Sequence, residues 1–332
     1  MQPLVSIIIP AYNAADYIAD TIESALRQSY GNIEIIVVDD GSTDSTFNIA
    51  QRYENSGITV VKQINSGASA ARNYGIALAK GQYIQFLDAD DLLHEEKVEH
   101  QVETIEKYSD LQLVGGKWRR FDRSVEILYK AMPYTEEETR CFDKVEWLIN
   151  RPYMVPHTWL VSKKLIALAG LWNEKLSFND DGEFFYRIIA ASNGIIINHR
   201  AVAYYRSGNA SSLSNRRDRE AMISWIESIR SYKKIVASIA GDKGNESVNK
   251  YFFELSYNCV NKFPDLLEEC RAEMYYPDTV YNLSDGMVYH LSRIIGLSKA
   301  KRVREAVNLV RGTRAMAYLI SKTKATIGWS SY

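Results

Sequence analysis

The sequence predicts an α/β fold, in which a mostly parallel sheet is flanked by helices and followed by a helical C-terminal extension. Two patterns support this prediction. Short runs of β-branched residues alternate with amphipathic stretches up to about residue 116, and long helical periodicities dominate after about residue 216. Strands and helices that alternate in this way form doubly wound, largely parallel sheets.

The predicted strands are short and rich in Ile and Val, a composition typical of strands buried on both faces of a sheet. They cover residues 4–10, 33–40, 58–64, 82–87 and 111–116. The stretches between them have apolar residues at helical spacing. The predicted helices cover residues 13–28 with Asn13 as N-cap, a segment opened by GSTDS, residues 69–80 and residues 95–108.

The segment from residue 117 to residue 215 is less regular, because aromatic and polar residues are mixed and prolines interrupt it. We therefore predict a domain of residues 1–215, with halves of about 1–116 and 117–215, and a helical region of residues 216–332. Ligands of doubly wound sheets bind beyond the carboxyl ends of the strands. The functional residues are expected at those ends.

Composition and charge are those of a globular protein without a general affinity for nucleic acid. Apolar residues make up 46% and charged residues 24%, and the formal net charge is −1. The three cysteines form no CxxC pair and are expected to be reduced structural thiols. The run LVSIIIP is too short for a signal peptide, and no stretch approaches the roughly 20 apolar residues of a membrane-spanning helix. We therefore expect a cytoplasmic location.

Acidic residues cluster where two predicted strands end. The strand at 33–40 ends in VVDDGSTD, and the strand at 82–87 is followed at once by Asp88, Asp90 and Asp91. One such cluster is typical of a turn in which Asp caps the next helix. Two clusters at one sheet edge favour a binding site, because crowded carboxylates repel each other unless a cation joins them.

The chemistry of these carboxylates predicts a metal and a phosphate ligand. Carboxylate oxygens with open coordination positions suit Mg²⁺ or Mn²⁺ held jointly with substrate phosphates. The segment NSGASAARNYG adds a glycine-containing turn, a helix N-terminus and Arg72, although a lone Arg is more often a solvated helix charge. Neither G-x-G-x-x-G nor G-x-x-x-x-G-K-[ST] occurs, which argues against a dinucleotide-binding fold and a P-loop.

Three segments resemble family 2 inverting glycosyltransferases of the GT-A fold, over about residues 3–210: VSIIIPAYNAADY through VVDDGSTDST, NSGASAARNYGIALAKGQYIQFLDADD, and NDDGEFFYRI. The resemblance implies a Rossmann-like GT-A sheet and a nucleotide-sugar donor, with uracil the favoured base. It implies a donor site made of Pro10, Ala11 and Tyr12 at the base pocket, Asp40 as acceptor for the base, Arg72 near the phosphates, and Asp88-Ala89-Asp90 as the D-x-D motif. Asp90 is the expected direct ligand of Mn²⁺ or Mg²⁺, with Asp88 beside it.

The same resemblance identifies Asp181 as the general base. The family's later motif is usually Glu-Asp followed by aromatics and an Arg, and here it is Asp180-Asp181 before EFFYR. In an inverting transfer the acceptor hydroxyl attacks the face of the sugar opposite the leaving diphosphate. The base must therefore come from a different segment than the metal ligands. An N-cap for the helix that follows is the alternative role of Asp181.

Other residues are weaker candidates. His157 and His199 are candidates for contact with the donor phosphates or the acceptor, although such histidines are more often packed or on the surface. The aromatic candidates for stacking on sugar rings are also typical core residues. They are Trp159, Trp172, Tyr204 and Tyr205.

We interpret the chain as a glycosyltransferase acting on a glycan or lipid-linked acceptor in cell-surface polysaccharide synthesis. One alternative is a non-catalytic partner subunit that binds nucleotide-sugar or glycan. The retained Asp40, Asp88, Asp90 and Asp181 argue against it. A metal-dependent phosphotransferase is the other alternative, and it normally needs an Asp where the first strand ends in Pro10-Ala11-Tyr12.

The C-terminal tail is basic. From Asp285 to Tyr332 nine Lys and Arg residues stand against two acidic residues, a net +7, with apolar residues interleaved at helical spacing. A basic amphipathic helix is typical of a membrane-surface element. Packing on the catalytic domain and a contact in a homo-oligomer remain open. We favour a peripheral position on the inner face of the cell membrane, because enzymes that the chain resembles often extend lipid-linked glycans there.

Overall fold

A computed structural model of the chain describes residues 2–121, 139–150, 152, 154–207, 216–276, 298–299 and 301–303, and the statements below concern these residues. Contacts group the chain into two compact units, residues 1–247 and 248–332. The domain boundary that the sequence predicts near residue 216 stays a prediction.

Four parallel strands form the half of the sheet that the sequence predicts, in the order β3-β2-β1-β4. They are β1 (Val5–Ala11), β2 (Ile33–Asp39), β3 (Thr59–Lys62) and β4 (Tyr83–Phe86). Ala11 lies opposite Asp39, and Asp39 lies opposite Lys62. The carboxyl ends of these strands therefore share one edge, where the predicted donor residues follow them.

The helices that alternate with these strands are α1 (Ile18–Leu26), α2 (Thr46–Gln51), α3 (Ala68–Leu78) and α4 (Lys97–Lys107). Gly75 allows α3 to approach β1 closely, because a Cβ at this position would lie 2.3 Å from Cγ2 of Ile8. This contact fixes the helix that carries Arg72 against the central strand.

The predicted N-cap role of Asn13 is wrong, because α1 begins five residues later, at Ile18. Asn13 has a left-handed backbone with φ of 48°, a conformation that Asn tolerates better than most residues. Its side-chain oxygen accepts the backbone N–H of Thr43 at 2.9 Å. Asn13 thus ties the loop after β1 to the loop after β2.

The second half of the sheet is mixed and lies mainly in the segment that the sequence pattern left irregular. Its strands are β5 (Leu92–Leu93), β6 (Leu113–Phe121), β7 (Thr139–Phe142), β8 (Leu160–Ser162) and β9 (Ile195–Arg206). β8 is antiparallel to both β4 and β6, so it joins the two halves. β6 and β9 are parallel, while β5 and β7 each pair with β9 in antiparallel fashion.

The remaining helices are α5 (Lys144–Asn150), α6 (Lys163–Ala169), α7 (Asp180–Ala191), α8 (Arg219–Ile239), α9 (Gly241–Cys259) and α10 (Pro264–Glu273). The predicted helical character after residue 216 is confirmed by the last three. α8 packs on α7 through the stacked rings of Tyr186 and Tyr232, whose centroids are 4.2 Å apart. Within the described ranges, no helix combines the length and the apolarity needed to cross a membrane.

Candidate active site

The predicted base pocket lies at the ends of β1 and β2. Pro10 and Ala11 are buried, whereas Tyr12 is 50% exposed at the sheet edge. Asp40 is buried, and its backbone N–H donates to the carbonyl of Ala11 at 2.8 Å. The structure therefore brings together the residues of the predicted base pocket.

The carboxylate of Asp40 organises the turn that leads into α3. Its Oδ1 accepts hydrogen bonds from Nε2 of Gln63 at 2.7 Å and from the backbone N–H of Ser66 at 2.8 Å. Its Oδ2 accepts the backbone N–H of Gly67 at 2.8 Å. A carboxylate has about four acceptor positions, so Oδ2 keeps capacity for one more donor.

Arg72 connects the two predicted halves of the site. Its Nη2 donates to Oδ1 of Asp88 at 2.7 Å, and its Nη1 donates to Oδ2 of Asp180 at 3.0 Å. The guanidinium carbon lies 4.3 Å from the ring centroid of Trp172. Burial alone would lower the pKa of Arg72, but Asp88 and Asp180 outweigh it and raise the pKa, so the group stays cationic.

The carboxylates that follow β4 differ in exposure. The side chain of Asp88 is 28% exposed and Asp90 is half-buried, so both can reach a ligand at the sheet edge. Ala89 is buried, and its carbonyl accepts the hydroxyl of Thr21 at 2.9 Å. Asp91, by contrast, is 1% exposed and points into the fold.

Asp91 pairs with a histidine that the sequence offered only as a weak candidate. Its Oδ2 lies 3.0 Å from Nδ1 of His157, which is fully buried. The imidazole stacks on Tyr205 with an interplanar angle of 10°. Burial raises the pKa of Asp91, and His157 opposes that rise.

The donor atoms present fit a divalent cation. One ligand atom from each of Asp88, Asp91 and His157 lies within 4.8 Å of the others, in the part of the chain that the structure describes. Carboxylate oxygens suit Mg²⁺ or Mn²⁺, and Mn²⁺ also accepts an imidazole. Asp91 and His157 are buried and engaged with each other, so the partly exposed Asp88 and Asp90 are the groups that can reach an incoming cation.

Asp180 and Asp181 begin α7. Asn179 precedes them with φ of 56°, and its amide donates to Ser228 at 2.6 Å and to the Tyr232 hydroxyl at 2.8 Å on α8. Besides Arg72, the carboxylate of Asp180 accepts the hydroxyl of Ser69 at 3.1 Å. The start of α7 is thus tied on one side to α8 and on the other to α3.

The environment of Asp181 adjusts its acidity. Loss of contact with water raises the pKa of Asp181 to about 6, and the charges of Asp180 and Asp88 act in the same direction. The backbone N–H of Gly182, which donates to Asp181 at 2.7 Å, and the cation of Arg72 oppose the rise. A carboxylate with this pKa is charged at neutral pH and still binds a proton well, as a general base requires.

Most of the aromatic candidates are core residues. Trp159, Trp172 and Tyr204 are buried, and Trp172 stacks on Phe184 with ring centroids 4.1 Å apart. Trp172 also supports Arg72, a contact that sequence reasoning missed. His199 lies within β9 and is partly buried.

Sequence reasoning also missed Arg206, at the end of β9. Its Nε donates to the carbonyl of Asp90 at 2.8 Å, and its backbone N–H donates to Asp91 at 2.7 Å. Its position at the end of a strand could have identified Arg206 as a candidate site residue. That strand was not predicted.

Comparison with known proteins agrees with this architecture. Residues 6–168 match the model of the family described as "Glycosyl transferase family 2". The chain is 30% identical over 221 residues to "Glycosyltransferase GlyG" of Streptococcus pneumoniae, a match that covers 62% of this chain and 72% of GlyG. These similarities place the chain among the glycosyltransferases. It belongs to glycosyltransferase family 2.

Other relatives match over shorter parts of their length. The chain is 50% identical over 105 residues to "Putative teichuronic acid biosynthesis glycosyltransferase TuaG" of Bacillus subtilis, covering 31% of this chain and 42% of TuaG. It is also 35% identical over 193 residues to "Uncharacterized glycosyltransferase RT0329" of Rickettsia typhi, a match that covers 58% of this chain and 60% of that relative.

The fold is shared with a solved structure. S. aureus TarS 1–349, crystallised in complex with UDP-GlcNAc, superposes with a TM-score of 0.60 at 16% sequence identity, covering 92% of this chain and 91% of that one. At this identity the likeness shows the fold alone. The predicted GT-A-type α/β fold with a helical C-terminal part is confirmed.

Proposed function

We propose that this glycosyltransferase is metal-dependent and inverting, and that it transfers a sugar from a nucleotide-sugar, with UDP the favoured nucleotide, to a hydroxyl of a glycan or lipid-linked acceptor in cell-surface polysaccharide synthesis. One observation carries the proposal: Arg72 lies between Asp88 on the donor side and Asp180, the neighbour of Asp181, on the other. The description of TuaG as a teichuronic acid biosynthesis glycosyltransferase supports a polysaccharide role, and the complex of TarS with UDP-GlcNAc supports a UDP-sugar donor.

On the acceptor side, Asp181 removes the proton. Its pKa of about 6 leaves it deprotonated at pH 7, where it accepts the proton of the attacking hydroxyl. Asp180 holds Arg72 and adds negative charge beside Asp181, which keeps the base from becoming too acidic to bind a proton. The base and the predicted metal ligands come from separate segments, as attack on the face opposite the leaving group requires.

On the donor side, Asp40 and the β1 edge bind the base, and the positive charge of Arg72 attracts the diphosphate. Asp88 and Asp90 would hold the divalent cation. When bound, such a cation supplies stabilisation of the negative charge that develops on the leaving diphosphate. The carboxylate of Asp88 would then interact with both the divalent cation and Arg72, so donor binding is expected to weaken the ion pair between Asp88 and Arg72.

Release of nucleoside diphosphate tests the proposal. The full chain is incubated with a panel of UDP- and GDP-sugars, with Mn²⁺ or with EDTA, and free UDP or GDP is measured. Thermal shift on the same panel reports binding, since a ligand stabilises the fold by RT ln(1+[L]/Kd). We expect one UDP-sugar to give both signals in Mn²⁺ only. An acceptor product analysed by NMR should show inverted anomeric configuration.

Two outcomes would contradict the proposal. Stabilisation by nucleotide-sugars without any release of diphosphate, in the presence of extracts containing acceptors, would favour a binding subunit. Full turnover in EDTA would remove the metal from the mechanism.

A further inference from the structure

The turn formed by Asp88–Asp91 carries two kinds of carboxylate. Asp88 and Asp90 are partly exposed at the sheet edge, whereas Asp91 is 1% exposed. The backbone N–H of Asp91 donates to the carbonyl of Asp88 at 3.1 Å, which closes the turn. The inward carboxylate therefore shares one hydrogen-bonded turn with the two outward ones.

Three separate elements hold this turn. From α1, the hydroxyl of Thr21 lies within hydrogen-bonding distance of the carbonyls of Ala89 at 2.9 Å and Asp91 at 3.0 Å. From β9, Arg206 donates its backbone N–H to Asp91 and its Nε to the carbonyl of Asp90. From the turn before β8, His157 reaches the second oxygen of Asp91. These contacts restrain the backbone from which Asp88 and Asp90 project.

His157 is itself anchored by a buried polar network. Its carbonyl accepts Nε2 of Gln85 at 3.0 Å, and the carbonyl of Thr158 accepts Nε2 of Gln101 at 2.8 Å. Both glutamines accept hydrogen bonds from Nζ of Lys97, each at 2.5 Å. Lys97 is fully buried, and burial lowers its pKa well below the usual value. These hydrogen bonds fix the backbone that carries His157.

We propose that Asp91 and His157 are positioning residues for the metal centre: their buried pair sets the orientation of the Asp88–Asp91 turn, so that Asp88 and Asp90 present their oxygens to one cation. The inference rests on the proposed function, because it assumes a cation on Asp88 and Asp90. His157 acts through Asp91 and does not itself bind the metal. Partners of this outer kind orient ligands, and their loss typically costs 10- to 100-fold in metal affinity.

The losses of stability and of metal affinity should depend on whether Asp91, His157 or both are replaced. His157→Phe keeps a flat ring against Tyr205 but leaves Oδ2 of the buried Asp91 without its histidine partner, which is a costly arrangement. His157→Asn restores an N–H donor at the position of Nδ1 and should rescue part of the loss. The double variant Asp91→Asn/His157→Phe removes the unpaired charge, so it should regain stability without regaining metal affinity.

The matched control is His100→Phe. His100 is also a buried histidine near carboxylates, with Nε2 3.7 Å from Glu96 and Nδ1 3.9 Å from Glu103, but these carboxylates belong to α4 and its N-cap and not to the Asp88–Asp91 turn. The control therefore reports the general cost of losing a buried histidine.

The experiment measures Mn²⁺ binding by EPR in the presence of UDP, thermal unfolding, and UDP-sugar turnover as a function of Mn²⁺ concentration, for the full chain. For His157→Phe we expect the Mn²⁺ dissociation constant and the Mn²⁺ concentration for half-maximal turnover to rise roughly 10- to 100-fold. We expect kcat at saturating Mn²⁺ to stay near the wild-type value. His100→Phe should change neither Mn²⁺ quantity.

The inference is overturned if His157→Phe lowers only the unfolding temperature, as His100→Phe does, while Mn²⁺ binding is unchanged. It is also overturned if pulsed EPR of wild-type protein shows a histidine nitrogen coupled to Mn²⁺ that disappears in His157→Phe, because His157 would then be a ligand. Failure of the proposed function looks different: wild-type protein would release no nucleoside diphosphate, while the EPR comparison would still decide whether the pair controls Mn²⁺ binding.

Discussion

Arg72 and Asp180 form an ion pair of 3.0 Å between residues that are 108 positions apart in the sequence. The same guanidinium contacts Asp88 at 2.7 Å. A fork of this kind needs the planar geometry of Arg, because the single ammonium of Lys cannot reproduce two divergent hydrogen bonds and the stacking on Trp172. The side chain of Arg72 therefore joins the predicted donor site to the start of α7.

The first prediction is that Arg72→Lys weakens donor binding and lowers stability together. We expect a loss of about 1.5–3 kcal/mol in the free energy of unfolding, the usual contribution of hydrogen bonds to charged groups, and a clear rise in the donor dissociation constant. Chemical denaturation and calorimetric titration with UDP measure the two effects. Arg27→Lys is the control, since Arg27 is exposed and forms a surface ion pair with Glu23. Equal behaviour of the two variants would contradict the prediction.

The first half of the sheet could be predicted from the sequence, because local patterns determine its strands. Buried parallel strands need continuous apolar runs, and β1 and β2 have them. The strand ends follow directly, so the positions of Asp40 and Asp88 at one edge could be predicted. Asn13 shows the limit of a local rule: a residue typical of helix caps serves a loop-to-loop contact.

The second half depends on contacts that no local pattern reveals. β8 has only three residues and gains its place by pairing with β4 and β6. The pairs Arg72–Asp180 and Asp91–His157 join distant segments, and either partner alone has an ordinary solvated or capping role. The sequence therefore supplied candidate residues, while the residues that contact them were revealed only by the fold.

The second prediction concerns Asp181 and pH. A general base must be deprotonated, so kcat should fall as pH decreases through about 6, the pKa of Asp181. Asp181→Asn should lower kcat by roughly 10²- to 10⁴-fold and barely change the donor dissociation constant. Asp110→Asn is the control, since the carboxylate of Asp110 pairs with Lys164 on α6 and not with a residue of the candidate site. Loss of donor binding in Asp181→Asn would instead indicate a donor-binding or structural role.

The third prediction is a stability effect of the same carboxyl. Its folded-state pKa of about 6 lies above the ordinary value of 3.8, so the folded protein binds this proton more tightly than the unfolded chain. Its contribution to the free energy of unfolding should therefore increase as pH falls from about 6 to about 4. Comparing wild type with Asp181→Asn by denaturation at several pH values isolates it. A difference that does not vary over this range would show that Asp181 is not perturbed in solution.

The fourth prediction assigns metal dependence to Asp90. Asp90→Asn should abolish transfer and the Mn²⁺-dependent part of UDP binding, and the fold should remain intact because the residue is only half-buried. Turnover assays, titration with UDP with and without Mn²⁺, and circular dichroism check the three parts. Asp242→Asn, an exposed carboxylate in the first turn of α9, is the matched control. Wild-type activity in Asp90→Asn would show that other residues hold the metal.

The basic tail is the remaining prediction from sequence, and most of it lies outside the described residues. Of its nine basic residues, three are described: Lys299 and Arg302 are exposed, whereas Lys301 is buried and its Nζ donates to the carbonyl of Tyr257 at 2.6 Å. Lys301 therefore contributes little to a charged surface. The remaining basic residues of the tail are Arg293, Arg304, Arg311, Arg314, Lys322 and Lys324.

The last prediction is that these charges bind anionic lipid. Each Lys or Arg near such a surface contributes about 1 kcal/mol, and salt screens the attraction within roughly 10 Å at 0.1 M. The full chain should therefore co-sediment with vesicles containing phosphatidylglycerol at low salt and be released as salt rises, while vesicles of phosphatidylcholine should not retain it. Truncation near residue 285 should remove this binding and leave UDP-sugar binding unchanged. If the full chain ignores anionic vesicles at low ionic strength, the tail packs on its own chain or on a second copy, which light scattering distinguishes, and a lipid-linked acceptor loses its main physical support.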